Sequence, residues 1–262
     1  MRRLAERQSS PTALTLSAAG FDLIAEVKRR SPSAGSLISK QRPPSLQAQN
    51  YANAGAAAIS VLTEPEQFLG ALAHLTEVVN EVKSIPAMRK DFLVSPYQVL
   101  EARAAGASGV LLIAAILDRE ELRDMLQTAL AFDMFVLVEA FDVADLDFCL
   151  PLIAESGPAL RKREDSDDGP GGNQCCIMIG VNCRDLRTLQ VDFPRFESLV
   201  SRLPDTVPWV AESGVGTPEQ AGAVAALGYR LALVGTALMQ ASDPAAAACE
   251  MLAAGRKTVA TD

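Results

Sequence analysis

Five places in the chain end a short apolar run on side chains able to move protons or grip an anion. Glu26 and Lys28 stand two apart and so share one face of an extended segment, Lys90 and Asp91 close a second run, and Glu139 closes a third. Asn182 with Arg184 ends a fourth run, and Glu212 with Ser213 ends a fifth. A lysine facing carboxylates is drawn toward neutrality by desolvation or held charged by its partners, so such a set supplies acids and bases without histidine. Any one of these charges reads equally well as part of a solvated loop or of an interior ion pair. Five run ends of one kind argue for a common site.

Histidine is nearly absent: the only one is His74, in Gly70-Ala-Leu-Ala-His-Leu-Thr-Glu-Val-Val, whose spacing is that of an amphipathic helix and which reads as a packing or surface residue. That count argues against histidine-dependent triads and multi-histidine metal sites, so no metal is expected and proton transfer falls to Lys, Glu and Asp. Two further stretches, Glu212-Ser-Gly-Val-Gly-Thr-Pro and Gly235-Thr-Ala-Leu-Met, have the small residues that let backbone N–H groups approach a phosphate, with Thr236 opening a short helix. Ordinary tight turns are the other reading of both. The basic, small-residue loop Arg29-Arg-Ser-Pro-Ser-Ala-Gly-Ser reads as a mobile lid or as a solvated connection, and Phe92 is placed to pack a substrate ring or to join the core.

The elements that must position these residues repeat in one order, a strand-length apolar run followed by a segment of helical spacing, which calls for a parallel sheet. The runs are 22–28, 57–62, 85–89, 109–113, 135–139, 177–182, 207–211 and 231–235, and the helices are expected near 45–54, 66–82, 97–105, 118–132, 143–155, 193–202, 217–227 and 243–255. Eight such units in 262 residues predict an α/β fold, a single-domain (β/α)8 barrel, in which active sites form at the C-terminal ends of the strands. A doubly wound open sheet would need a Gly-rich turn after its first strand, and none is present. Glycines in Asn53-Ala-Gly-Ala, Ala104-Ala-Gly-Ala and Ala226-Leu-Gly-Tyr punctuate the helix-to-strand turns. Residues 1–21 form a short N-terminal extension. Residues 156–174, charged and then Gly-rich, are expected as an exposed flexible loop on the face opposite the active site.

With 49% hydrophobic residues the chain can bury one large core. A net charge of -8 argues against nucleic-acid binding, whereas a local basic pocket for a small anion is compatible with it. Five cysteines without a C-x-x-C pair indicate neither a disulfide framework nor a zinc knuckle. Together with an N-terminus lacking an apolar run, this places the protein in the cytoplasm, away from membranes.

At seven strands the motifs are specific. Ile24-Ala-Glu-Val-Lys-Arg-Arg-Ser-Pro-Ser-Ala-Gly resembles the first-strand signature of indole-3-glycerol-phosphate synthases. It is followed in order by Ser60-Val-Leu-Thr-Glu, Arg89-Lys-Asp-Phe with Pro96-Tyr-Gln, Leu137-Val-Glu, Ile179-Gly-Val-Asn-Cys-Arg-Asp-Leu, Ala211-Glu-Ser-Gly-Val and Val234-Gly-Thr-Ala-Leu-Met, so the resemblance runs from about residue 21 to 244.

The resemblance implies ring closure, decarboxylation and dehydration of 1-(2-carboxyphenylamino)-1-deoxyribulose 5-phosphate to indole-3-glycerol phosphate, in tryptophan biosynthesis, without a cofactor. It implies Lys90 as general acid, Lys28 pairing with the substrate carboxylate or reaching the phosphate, and Glu26, Lys28 and Glu139 sharing the acid–base work of dehydration. It also implies Asn182 orienting the sugar hydroxyls with Glu212 nearby, and Ser31, Arg184, Ser213, Gly214, Gly235 and Thr236 touching substrate or phosphate. Other tryptophan-pathway enzymes are the partners it suggests, beside the phosphorylated substrate. The chain departs from the family's pattern in its short extension, its 156–174 insertion, and Ala140-Phe-Asp where Val-His-Asp is common, which mark a divergent member. A phosphoribosylanthranilate isomerase is a weaker match, since that family has a cysteine where this first strand ends Glu-Val-Lys. A non-catalytic sugar-phosphate binder is the remaining alternative.

Overall fold

Adjacent residues of one strand belong to two different cores, which is the mark of a closed sheet wrapped by helices. In Asp22–Val27 (β1), Leu23, Ala25 and Val27 pack with helix residues such as Tyr51 and Leu75, while Ile24 packs with Ala58, Met88, Leu111 and Phe135 from other strands. The period of two sends alternate side chains to the helix layer and to the barrel interior. The computed structural model describes residues 1–32, 35–37, 43–162, 173–185 and 188–260.

The remaining barrel strands are Ala58–Leu62 (β2), Ala87–Lys90 (β3), Gly109–Ile113 (β4), Phe135–Ala140 (β5), Ile177–Asn182 (β6), Trp209–Glu212 (β7) and Leu231–Val234 (β8), all parallel, with β8 pairing back onto β1. Around them run Pro44–Asn53 (α1), Leu72–Glu81 (α2), Pro96–Ala104 (α3), Arg119–Ala131 (α4), Val143–Glu155 (α5), Arg195–Leu199 (α6), Pro218–Ala226 (α7) and Pro244–Val259 (α8). The expected (β/α)8 barrel is present. Gly55, Gly106 and Gly228 take φ of 84°, 94° and 90°, the left-handed turn anticipated for the helix-to-strand corners. The short helix anticipated after Gly235 is Thr236–Gln240.

Several boundaries differ from the sequence reading. The segment 66–82 is two helices, Pro65–Phe68 and α2, because the Glu64 carboxylate caps the N–H groups of Glu66, Gln67 and Phe68 and the chain then turns left-handed at Leu69, φ 53°. The helix expected over 193–202 tightens into a 3-10 turn at Val200–Arg202, and the last helix runs on to Val259.

The 156–174 segment also differs. Leu160–Lys162 pairs antiparallel with Asn173–Cys175, which pairs in turn with Leu14–Thr15, so the ends of this segment are strands; 163–172 lie outside the described residues. Leu14 and Cys175 pack against the interior residues at the N-terminal end of the barrel, among them Phe135 and Leu231. The extension and the insertion therefore close the barrel floor together. Residues before Leu14–Thr15 reach the same end, where Gln8 donates to the Ala104 carbonyl at 2.7 Å and Arg103 donates to the Ser9 carbonyl.

At the floor, Asp22 accepts from the Ser17 N–H at 2.8 Å and from Arg256 at 3.1 Å, with Arg230 at 3.6 Å. None of the five cysteines is in a disulfide, and burial pushes the Cys149 and Cys183 thiols up to about 12. No helix among the described residues is long and apolar enough to cross a membrane.

Candidate active site

The inward-facing residues change character at the C-terminal ends of the strands, from aliphatic to ionisable. Lys90, the last residue of β3, reaches across the barrel and donates to Glu139 of β5 at 3.0 Å and to Glu212 of β7 at 3.1 Å. Beside it, Lys28 pairs with Glu26 of β1 at 2.6 Å. Two ammonium groups and three carboxyl groups thus share one layer, and the Glu26, Glu139 and Glu212 residues are all buried.

Crowding of this kind must move protons. Burial pushes the Glu212 carboxyl up to about 8, the nearby Glu139 charge adds to the effect, and Lys90 opposes it. For Lys90 burial acts downward, but Glu139, Glu212 and Glu26 outweigh it and raise its pKa above the ordinary lysine value. The layer thus pairs a carboxyl raised above the ordinary glutamate range with a lysine raised above its own, a combination suited to acid–base work.

These side chains open onto a cavity of about 630 Å³. The catalytic and substrate-contacting residues expected from the sequence line it: Glu26, Lys28, Ser31, Lys90, Phe92, Glu139, Asn182, Arg184, Glu212, Ser213, Gly214, Gly235 and Thr236, with Asp91 beside them. At the β7 end, Ser213 and Gly214 take φ of 59° and 102°, two consecutive left-handed residues where the chain turns out of the strand and lines the cavity. A side chain on residue 214 would meet Val191 Cγ1 at 2.7 Å. Asn182 Oδ1 accepts from the Arg184 N–H at 2.9 Å, and the Arg184 guanidinium donates to the Leu189 carbonyl, folding the loop after β6 over the cavity.

Some lining residues carried no chemical signal in the sequence. Leu62, Leu111 and Ile113 from β2 and β4, and Leu189, Val191 and Phe193 of the loop after β6, make an apolar lining that Phe68 and the anticipated Phe92 extend. Only their apolar character was legible, and it is shared by every core position. Arg89, one residue before Lys90, is buried outside the sheet and donates to Thr63, Asp91, the Gln98 carbonyl and Glu101. Asp91, grouped with Lys90 in the sequence, accepts from Arg89, Thr63 and the Phe92 N–H, and so braces the loop that carries Phe92. His74 is half-buried, 3.4 Å from the Arg29 guanidinium, and is not among the residues lining the cavity.

A model of the family described as Indole-3-glycerol phosphate synthase matches residues 1–156 and 175–251. The chain belongs to this family. The match takes in the first 20 residues, which the motifs had left out, and its gap falls on the insertion at the barrel floor. Curated relatives carrying the family's name include one from Lacticaseibacillus paracasei, 39% identical over 90% of this chain and 82% of its own length. Another, from Mycobacterium leprae, is 41% identical over 90% of this chain and 78% of its own length. Among solved structures, a 3-hexulose-6-phosphate synthase from Salmonella typhimurium superposes with a TM-score of 0.67 over 90% of this chain and 99% of its own, at 14% identity, a likeness of fold alone. In this family member the motif-bearing residues of seven strands meet at one cavity.

Proposed function

We propose that the chain is an indole-3-glycerol-phosphate synthase, a carboxy-lyase that converts 1-(2-carboxyphenylamino)-1-deoxyribulose 5-phosphate into indole-3-glycerol phosphate, carbon dioxide and water, a step of tryptophan synthesis. The observation that carries this reading is Lys90 held between Glu139 and Glu212 in the cavity that also contains the Lys28–Glu26 pair. The cavity has two characters. The small residues after β7 and β8 suit the phosphate, and the apolar wall with Phe92 suits the aryl ring.

Lys90 gives a proton to the ketone oxygen as the ring carbon bearing the carboxylate attacks the carbonyl carbon, forming the new C–C bond. Glu139, hydrogen-bonded to the same ammonium, orients it. The C–C bond to the carboxylate then breaks, carbon dioxide departs, and the electron pair returns to the ring. The ammonium of Lys28, free to swing from Glu26, binds that carboxylate until it leaves. Loss of water completes the indole: the hydroxyl takes a proton from a lysine of the layer and a carboxylate, Glu139 or Glu26, removes the last ring-system proton. Asn182 and Glu212 hold the sugar hydroxyls, and Ser31, Arg184, Ser213, Gly214, Gly235 and Thr236 contact the phosphorylated chain.

The test is direct. Purified protein mixed with the carboxyphenylamino substrate is expected to generate indole fluorescence and one carbon dioxide per product. Binding without fluorescence would leave a sugar-phosphate binder in its place, and conversion of phosphoribosylanthranilate would point to the isomerase.

A further inference from the structure

Glu139 and Glu212 reach Lys90 from β5 and β7, the two strands that flank β6. The residue of β6 lying between them is Gly180, paired in register with Glu139 on one side and Val210 on the other. Its neighbours of the same parity face inward: Met178 packs in the barrel interior and Asn182 lines the cavity. A side chain at 180 would therefore enter the layer of charged groups. A Cβ built there collides with Glu212 Oε1, with Glu212 Cδ at 3.0 Å and Leu137 Cδ1 at 3.2 Å. That same Oε1 is buried and has no hydrogen-bond partner, so the glycine niche is what accommodates it.

We infer that Gly180 is a positioning residue of the active site: its missing side chain is the space in which the Glu212 carboxyl stands, and hence what allows two carboxyl groups to converge on Lys90. Backbone strain or turn geometry does not require glycine here, because β6 is regular strand through residue 180 and its φ is not left-handed. The nearest obstacle is the end of a flexible side chain, so alanine is compatible with folding but drives Glu212 out of its niche. A displaced Glu212 no longer holds Lys90 from the β7 side, and the ammonium shifts toward Glu139. Misplacing a reacting group by about 1 Å costs on the order of a hundredfold in rate.

This inference rests on the proposed synthase activity for one arm of its test and not for the other. In the first arm, kcat is measured for wild type, Gly180→Ala, Glu212→Ala and the double variant. Gly180→Ala is expected to lose about a hundredfold. Added to Glu212→Ala it is expected to cost nothing further, within about twofold, because the niche is then empty. Wild-type kcat in Gly180→Ala, or a full additional loss in the double variant, overturns the inference. In the second arm, without substrate, carboxyl NMR follows the titration of Glu212, assigned by comparison with Glu212→Gln. The midpoint, expected near 8 in wild type, falls toward the ordinary glutamate value in Gly180→Ala. An unchanged midpoint overturns the inference even if the wild type turns over no substrate, an outcome that would separately remove the synthase reading.

Discussion

Asp22 and Glu26 lie on one strand, four residues apart, and both are buried, yet they do different work. Asp22, at the floor, is enclosed by Arg230, Arg256 and the Ser17 N–H, and it does not line the cavity. Glu26, about 13 Å further up at 3.3 Å per residue, is paired with Lys28 and opens on the cavity with Lys90, Glu139 and Glu212. The same contrast holds for whole layers. The floor is Leu14, Ile24, Phe135, Cys175 and Leu231 packed together; the mouth is ionisable and hollow. The difference teaches that a buried charge becomes chemically available when its partner is itself titratable and a void adjoins the pair, and structural when neither holds.

Substitutions separate the two layers. At the mouth, Glu139→Gln keeps the shape of the carboxyl but cannot accept a proton, and kcat is expected to fall roughly a thousandfold with little change in the melting temperature. At the floor, Leu14→Ala leaves a cavity under the barrel and is expected to cost about 3 kcal/mol of unfolding free energy while kcat at 25 °C is unchanged. A fall in kcat there would blur the distinction. Asp22→Asn removes the counter-charge of two arginines that are themselves partly exposed, so a loss of about 2 kcal/mol is expected in denaturant unfolding, again without effect on turnover.

The smallest effect sharpens the comparison from the other side. Because the Glu212 pKa is raised on folding, the folded chain binds the extra proton between the unfolded glutamate value and about 8, and stability is therefore lost as pH rises through that window. Thermal melts from pH 5 to 9 should show this decline, and Glu212→Gln should flatten it. An identical slope in both proteins would mean that the mouth carries no stability cost.

Much of this was legible in the chain, for physical reasons. Barrel strands are short and alternate two cores, so their apolar runs and the polar residues ending them could be read from Glu26, Lys90, Glu139 and Asn182 without coordinates. The break between Phe68 and α2 could not, since the apolar pattern continues through Leu69 and the interruption starts from the carboxylate cap at Glu64, five residues earlier. The strands at 160–162 and 173–175 were read as loop because their charged, Gly-rich connection dominates the composition, whereas 173–175 pairs with Leu14–Thr15, which lies at the far end of the sequence. Gly180 was silent, as a missing side chain leaves no pattern. The left-handed pair at Ser213 and Gly214 was announced only by the glycine.

Lys90 decides whether the mouth is chemistry or architecture. The measurement is kcat and melting temperature on one preparation of Lys90→Met, with the carboxyphenylamino substrate. Turnover reduced by several orders of magnitude in a protein that melts within a few degrees of wild type is the expected result. Undiminished turnover, or a chain that no longer folds, would show that the lysine between Glu139 and Glu212 holds the barrel together and does not act on substrate.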